Sequence, residues 1–260
     1  MPVTAIASSN GPIFRTRRLG HVNFFVADLD RATDFYHSTC GLALEFIETG
    51  LKASFLGTGN TPHDVGCIET TKGKDRFGRD GHLQLPREVG ANPGLNHLAW
   101  EIDNEVELIA GYERCLKAGV PISRLADHQI AHSIYMRDPD GNVAEFYVDT
   151  IRDWRSVLHG EVDLITSVWD PKAKQPTPEP LYDPAPALRL VETAPFHPRR
   201  LASCTLVTRR PDRLAEFYTK VAGLRSLEER DGHHTLCGSD DRHGAHLTIV
   251  PAAKGLEPGL

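Results

Sequence analysis

The sequence predicts an α+β fold assembled from repeated strand–helix–three-strand (βαβββ) modules. Two observations predict it: an internal repeat that needs no gap, and inside each copy a switch from two-residue to helical periodicity. Arg18-Leu19-Gly20-His21, then Asp30-Arg31, Phe35-Tyr36 and Gly41-Leu42, return as Arg200-Leu201-Ala202-Ser203, Asp212-Arg213, Phe217-Tyr218 and Gly223-Leu224. The offset, from position 18 to position 200, is constant at 182. A third and more diverged copy begins at Pro93-Gly94-Leu95.

In the first copy Val22, Phe24 and Val26 alternate with His21, Asn23 and Phe25, the period of a strand. Asp28-Leu29-Asp30 supplies N-cap candidates for a helix of about ten residues that Gly41 stops. In the diverged copy His97 to Ile102 forms a strand and Glu105 to Ala118 an amphipathic helix ended by Gly119. Ser133–Met136 and Val143–Val148 make a hairpin around the Asp138-Pro139-Asp140-Gly141 turn. From Thr150 to Pro198 prolines accumulate, and an extended connector with little regular structure is expected. The expected organisation is a tail (1–15), a catalytic domain of two paired modules (16–150), the connector (151–198) and a third module without a partner (199–260). Pro258-Gly259-Leu260 repeats the tripeptide that opens the diverged module. A fourth module is therefore expected to follow, so that either the chain is truncated or this half-domain is completed by other means.

A chain of 260 residues accommodates two ordinary domains with cores of their own. The net charge of −6 is spread along the sequence, which argues against a nucleic-acid footprint. No apolar run is long enough to span a bilayer, and Met1 to Arg18 lacks the apolar stretch of a secretory signal. Five scattered cysteines without Cys-x-x-Cys spacing disfavour a disulfide framework or a zinc–thiolate site, and a cytoplasmic location is expected.

Glu145 carries the chemistry. It sits on an apolar strand just past the Asp138–Gly141 turn, where a carboxylate is costly unless paired or bound to a metal. His21 and His97 stand upstream in matching strand contexts. Two histidines and a carboxylate form the facial triad that holds Fe(II) with positions left open, and Mn(II) accepts the same set. The third module has Ser203 where the first has His21, so the repeat does not need histidine to fold.

The paired modules, with ligands on first strands and a last strand, resemble the vicinal oxygen chelate superfamily of glyoxalases, bleomycin-resistance proteins and dioxygenases. Further residues are similar to its ferrous extradiol catechol dioxygenases: Thr61-Pro62-His63-Asp64-Val65-Gly66-Cys67-Ile68, His128 seven residues before Tyr135, and Asp138-Pro139-Asp140-Gly141-Asn142 with Glu145. The resemblance covers Arg18 to Val148 well and the third module more loosely. It implies iron ligands at His21, His97 and Glu145, an oxygen-contacting histidine at His63, a second-sphere histidine at His128, and a tyrosine at Tyr135 that hydrogen-bonds the catechol. It further implies Fe(II), O₂ and a catechol-type diol as the reacting set, with ring opening beside the two hydroxyls. Open sheet edges lead to the expectation of a homo-oligomer.

Other readings stay open. A glyoxalase-like or thiol-transferring metalloenzyme shares the fold, as does a truncated binding protein. His132 competes with His128, although strand alternation would turn it away from the face of Tyr135. His233, His234, His243 and His246 are expected on the surface or in loops, whereas Phe24, Phe25, Leu83, Trp100 and Phe146 are expected to wall the pocket.

Overall fold

The structure, a computed structural model, describes residues 11–78, 81–162 and 166–253. The first ten residues and the terminal Pro258-Gly259-Leu260 repeat lie outside the described residues.

The first module runs β1 (Thr16–Val26), α1 (Leu29–Asp34), β2 (Ala43–Glu48), β3 (Ala53–Gly57) and β4 (Val65–Glu69). Asp28 caps α1 by accepting from the Arg31 amide at 3.0 Å, and the helix continues as a π-helical turn over Phe35–Thr39. A short hairpin, β5 (Arg76–Phe77) and β6 (Leu83–Leu85), leads to the second module. That module comprises β7 (Gly94–Ile102), α2 (Glu105–Ala118), β8 (Arg124–Asp127), β9 (Ala131–Arg137) and β10 (Val143–Asp149). Asn104 caps α2, and Gly119 ends it in the left-handed region at φ 65°. With β11 (Gly160–Val162) these strands form one nine-stranded sheet, ordered β11-β2-β3-β4-β1-β7-β10-β9-β8. The two modules meet where β1 and β7 run antiparallel.

Alternation gives the sheet two faces. Val22, Leu98, Trp100, Ala144, Phe146 and Val148 pack with Leu108 and Cys115 of α2. Phe25, Phe46, Phe55, Ala99 and Tyr147 belong to a separate apolar cluster with Trp154 and Leu158. The expected pocket wall is corrected accordingly. Phe24, Trp100 and Phe146 fall on the helix-side face, in register with Val22, Leu98 and Ala144, and Leu83 is half exposed on the β5–β6 hairpin. Phe25 alone of the five joins the other cluster.

The third module contains β12 (Cys204–Thr208), α3 (Pro211–Lys220), β13 (Arg225–Arg230), β14 (His233–Cys237) and β15 (Leu247–Pro251). Its sheet is ordered β12-β15-β14-β13. Leu206, Leu214, Phe217, Tyr218 and Leu236 share a core with Trp100 and Phe146, and the Tyr218 ring lies 5.5 Å from that of Trp100. The third module therefore packs on the helix side of the paired modules. Ile13 and Phe14, inside the expected tail, are fully buried there; their amides donate to the carbonyls of Lys220 and Val221 at 3.0 and 2.8 Å.

The proline-rich connector has little regular structure but is firmly attached. Arg155 and Arg189 converge on the buried carboxylate of Glu45 at 2.9 and 2.6 Å, and β11 adds in parallel to β2. Trp169 is buried against the ring of His132.

Candidate active site

Three adjacent strands bring the central residues together. On β7, Ala99 pairs with His21 of β1 on one side and with Glu145 of β10 on the other. His97 lies two positions along β7 on the same face, opposite Asn23. All three candidate ligands are buried. His97 Nε2 stands 2.9 Å from Glu145 Oε2, His21 Nε2 stands 3.2 Å from it, and the two imidazole nitrogens are 3.3 Å apart. Asn96 Oδ1 accepts from His97 Nδ1, which leaves Nε2 to face inward. The three donor atoms lie within 4.8 Å of one another and could hold a metal ion.

The electrostatics favour an ionised carboxylate at Glu145 beside a neutral imidazole at His21. Burial pushes His21 below its ordinary value against the pull of Glu145. Burial alone would raise Glu145, but His97 and His21 outweigh it and hold the carboxyl well below the usual range. A metal requires these protonation states of its ligands.

His63, on the loop before β4, lies tilted against His21 with ring centres 4.1 Å apart and meets the edge of Phe55 at 4.8 Å. Its Nε2 is bound to Asn23 Oδ1 at 3.0 Å, and its Nδ1 is buried without a hydrogen-bond partner. The Asn23 amide occupies the space that a side chain at Gly66 would need, so this pairing depends on that glycine. Burial, reinforced by the neighbouring His21 and His97, drives His63 well below its ordinary pKa.

His128 follows β8. Its Nε2 lies 2.9 Å from the Tyr135 hydroxyl and 4.0 Å from Glu145 Oε1, and its Nδ1 lies 3.2 Å from Thr166 Oγ1. Burial lowers His128 to about 4. Tyr135 is paired with Glu145 across β9 and β10, and burial followed by the charge of Glu145 holds its phenol well above the ordinary value. It is therefore a protonated donor at neutral pH. His132 points to the other face, where it binds Glu105 at 2.7 Å and stacks on Trp169 at 4.8 Å.

The structure thus gathers His21, His63, His97, His128, Tyr135 and Glu145 on one face and leaves His132 on the other. Sequence reasoning missed Asn23, Thr166, Trp154 and Phe46. Asn23 was detectable, because alternation places it beside His21; the others arrive by long-range packing. A second trio, Asp212, Glu229 and His234, also lies within 4.8 Å, but both carboxylates are exposed and His234 Nε2 pairs with Asp212 at 2.9 Å.

Residues 18–146 match the model of the Glyoxalase/Bleomycin resistance protein/Dioxygenase superfamily, and this stretch of the chain belongs to that superfamily. Biphenyl-2,3-diol 1,2-dioxygenase 3 of Rhodococcus globerulus is 28% identical over 164 residues, covering 61% of this chain and 80% of that protein. Among solved structures, the Mn(II)-bound glyoxalase from Novosphingobium aromaticivorans aligns over 95% of this chain with a TM-score of 0.59 and 15% identity. Homoprotocatechuate 2,3-dioxygenase from Brevibacterium fuscum, in complex with 3,4-dihydroxyphenylacetate, aligns over the same share with a TM-score of 0.55 and 13% identity. This chain spans 64% of the length of each of those two structures, whose likeness is one of fold. Among the described residues no helix is long and apolar enough to cross a membrane.

Proposed function

We propose that this protein is an extradiol dioxygenase that opens a catechol-type ring beside its two hydroxyls, using O₂ and Fe(II) held by His21, His97 and Glu145. Mn(II) is the other metal that this donor set accepts. The observation that carries the reading is the convergence of two imidazoles and one carboxylate on a single buried point. The rest of the face fits as well. His63 Nδ1, buried and without a hydrogen-bond partner, is an acceptor that a ligand hydroxyl would satisfy.

When bound, the metal supplies Lewis acidity toward two vicinal oxygens and redox chemistry toward O₂. The chain's own residues do the remainder. Tyr135, kept protonated, donates a hydrogen bond that orients a substrate hydroxyl. His128, neutral and next to Tyr135, moves the proton of that hydroxyl at its Nε2. His63, whose Nε2–H is given to Asn23, presents Nδ1 as an acceptor for an O–H group on the bound reactants. Phe46, Phe55, Trp154 and Leu158 keep this face apolar and exclude water. Residues 16–150 form the catalytic unit in this reading, with the connector completing its surroundings.

Anaerobic reconstitution with Fe(II), followed by a panel of catechol, alkylcatechols and biphenyl-diols in air, tests the proposal. Visible absorbance from a ring-opened product is expected with at least one of them. Full metal loading without turnover of any diol would overturn it.

A further inference from the structure

The first and third modules open with repeat-related arginines, Arg18 and Arg200, and the fold brings both to one small cleft. The cleft encloses about 70 Å³ between β1, the connector and the segment that follows β14, and Arg17, Arg242, Asp183, Asp240 and His246 also line it. The nearby acids are already engaged. Glu101 accepts from Arg17 at 2.7 Å and from Arg18 at 2.8 Å, and Asp240 accepts from Arg242 at 2.7 Å with Arg17 at 3.4 Å. Asp183 takes the Ala185 amide at 2.9 Å. Arg200 is half-buried, and its guanidinium has neither hydrogen bond nor ion pair among the described residues. Burial lowers its pKa, and the like charges of Arg18 and Arg242 lower it further against the pull of Asp240.

His246, expected at the surface or in a loop, is buried in the same wall. Its Nδ1 accepts from the Gly238 amide at 2.9 Å, which fixes a neutral ring with its proton at Nε2. That N–H is the polar atom His246 offers the cleft, and no group among the described residues accepts from it. We propose that the cleft is a binding site for a small oxyanion, a phosphate or carboxylate group held by Arg200, Arg18, Arg242 and the Nε2–H of His246. The inference is independent of the reaction proposed above, because His21, His97 and Glu145 take no part in the cleft.

Guanidinium forks match the oxygens of phosphate and carboxylate groups. Donors must also be held in place, and the walls that carry them are tied down through the backbone. The Ser239 and Asp240 amides donate to the carbonyls of Thr16 and Arg17, both at 3.0 Å, which fastens the segment carrying Arg242 and His246 to β1. The Leu201 amide, next to Arg200, donates to Asp64 Oδ1 at 3.0 Å, and the Asn60 side-chain amide donates to the Arg199 carbonyl. A Cβ on Gly238 would stand 2.3 Å from the Arg17 carbonyl oxygen, so the close approach of the two segments needs glycine there. An oxyanion supplies at once the partner that Arg200 lacks and the acceptor that His246 lacks.

The test is thermal unfolding of the full chain in inorganic phosphate, in acetate and in chloride at equal pH and ionic strength. A bound anion stabilises the native state by mass action, so phosphate or acetate should raise Tm above its value in chloride. The one that acts at lower concentration tells a phosphate from a carboxylate site. In Arg200→Gln the apparent Kd should rise by about 10–100-fold, the loss of one charged hydrogen bond. The same variant should melt no lower than wild type in chloride, since it gives up no ion pair. In ¹⁵N-histidine-labelled wild type, the Nε2 signal of His246, assigned by its loss in His246→Gln, should move as the anion is added. Equal stabilisation of wild type and Arg200→Gln, or none by either anion, would overturn the proposal. If Arg200→Gln fails to fold, the His246 titration decides: a signal that moves supports the site and one that stays fixed refutes it.

Discussion

His21 and Glu145 flank Ala99 from opposite sides, one from β1 and one from β10, with Nε2 and Oε2 3.2 Å apart. Strands far apart in sequence must pair in a fixed register to produce this contact. A slip of one residue would turn each side chain to the other face. The candidate metal site and the fold of residues 16–150 are therefore specified together.

Replacing Glu145 by Ala removes one of the three proposed ligands and leaves two buried imidazoles without the carboxylate. Iron content, measured by elemental analysis after reconstitution, should fall to near zero, with circular dichroism unchanged. His21→Ala and His97→Ala should do the same. Full iron occupancy in Glu145→Ala would sink the triad.

His63→Ala and His128→Ala should keep their iron yet lose turnover by about 10²–10⁴-fold, the usual span for a placed proton-transfer group. His132→Ala should behave in the opposite way. Its ring binds Glu105 and stacks on Trp169 on the other face of the sheet, so thermal stability should drop while turnover stays within a few-fold of wild type. A catalytically dead His132→Ala would contradict the assignment of faces.

The contrast shows what a linear reading can reach. The clustering of His21, His97 and Glu145 was legible because each sits on a strand of the paired modules, where a two-residue period decides which way a side chain points. The ends of α2 were equally legible, since Asn104 caps it and Gly119 terminates it. The π-helical turn over Phe35–Thr39 was not, because its amide-to-carbonyl step from Cys40 to Phe35 has no compositional mark. The connector's anchors were also hidden: Arg155 and Arg189 reach Glu45 across more than a hundred residues, and proline content says nothing about such contacts. The pocket-wall expectation treated large aromatics as site residues without assigning each to a face. Trp100 and Phe146 alternate with the ligands, which is why they lie on the helix side.

Asp149 gives stability a pH dependence of known sign. Burial and then the charge of Glu101 raise its carboxyl to about 8, and its Oδ1 has no hydrogen-bond partner. The unfolded chain releases that proton near pH 3.9. Between about pH 4 and pH 8 the folded state holds a proton that the unfolded state lacks, so this group costs stability progressively as pH rises. Asp149→Asn should therefore raise the melting temperature more at pH 8 than at pH 5. An equal gain at both values would mean that Asp149 titrates normally in the fold.

The 182-residue repeat reappears in three dimensions as a reciprocal contact, and three glycines test it. Gly41, at φ 79°, lies under the carbonyl of Phe196, while Gly223, at φ 77°, lies under that of Phe14. Phe14 and Phe196 are themselves repeat-related, so the segment entering each module packs on the helix end of the other. Gly119, at φ 65°, has nothing within 4 Å of where a Cβ would stand. Gly119→Ala should cost only the left-handed backbone penalty, about 1–2 kcal/mol. Gly223→Ala pays that and also displaces a backbone anchored by the fully buried Phe14, so about 3–5 kcal/mol is expected. Gly41→Ala should fall between them, because Phe196 is 64% exposed and its segment can lift away. Urea denaturation at constant m-value would measure the order. If Gly223→Ala proved no more costly than Gly119→Ala, the entering segment would not pack on the third module as described.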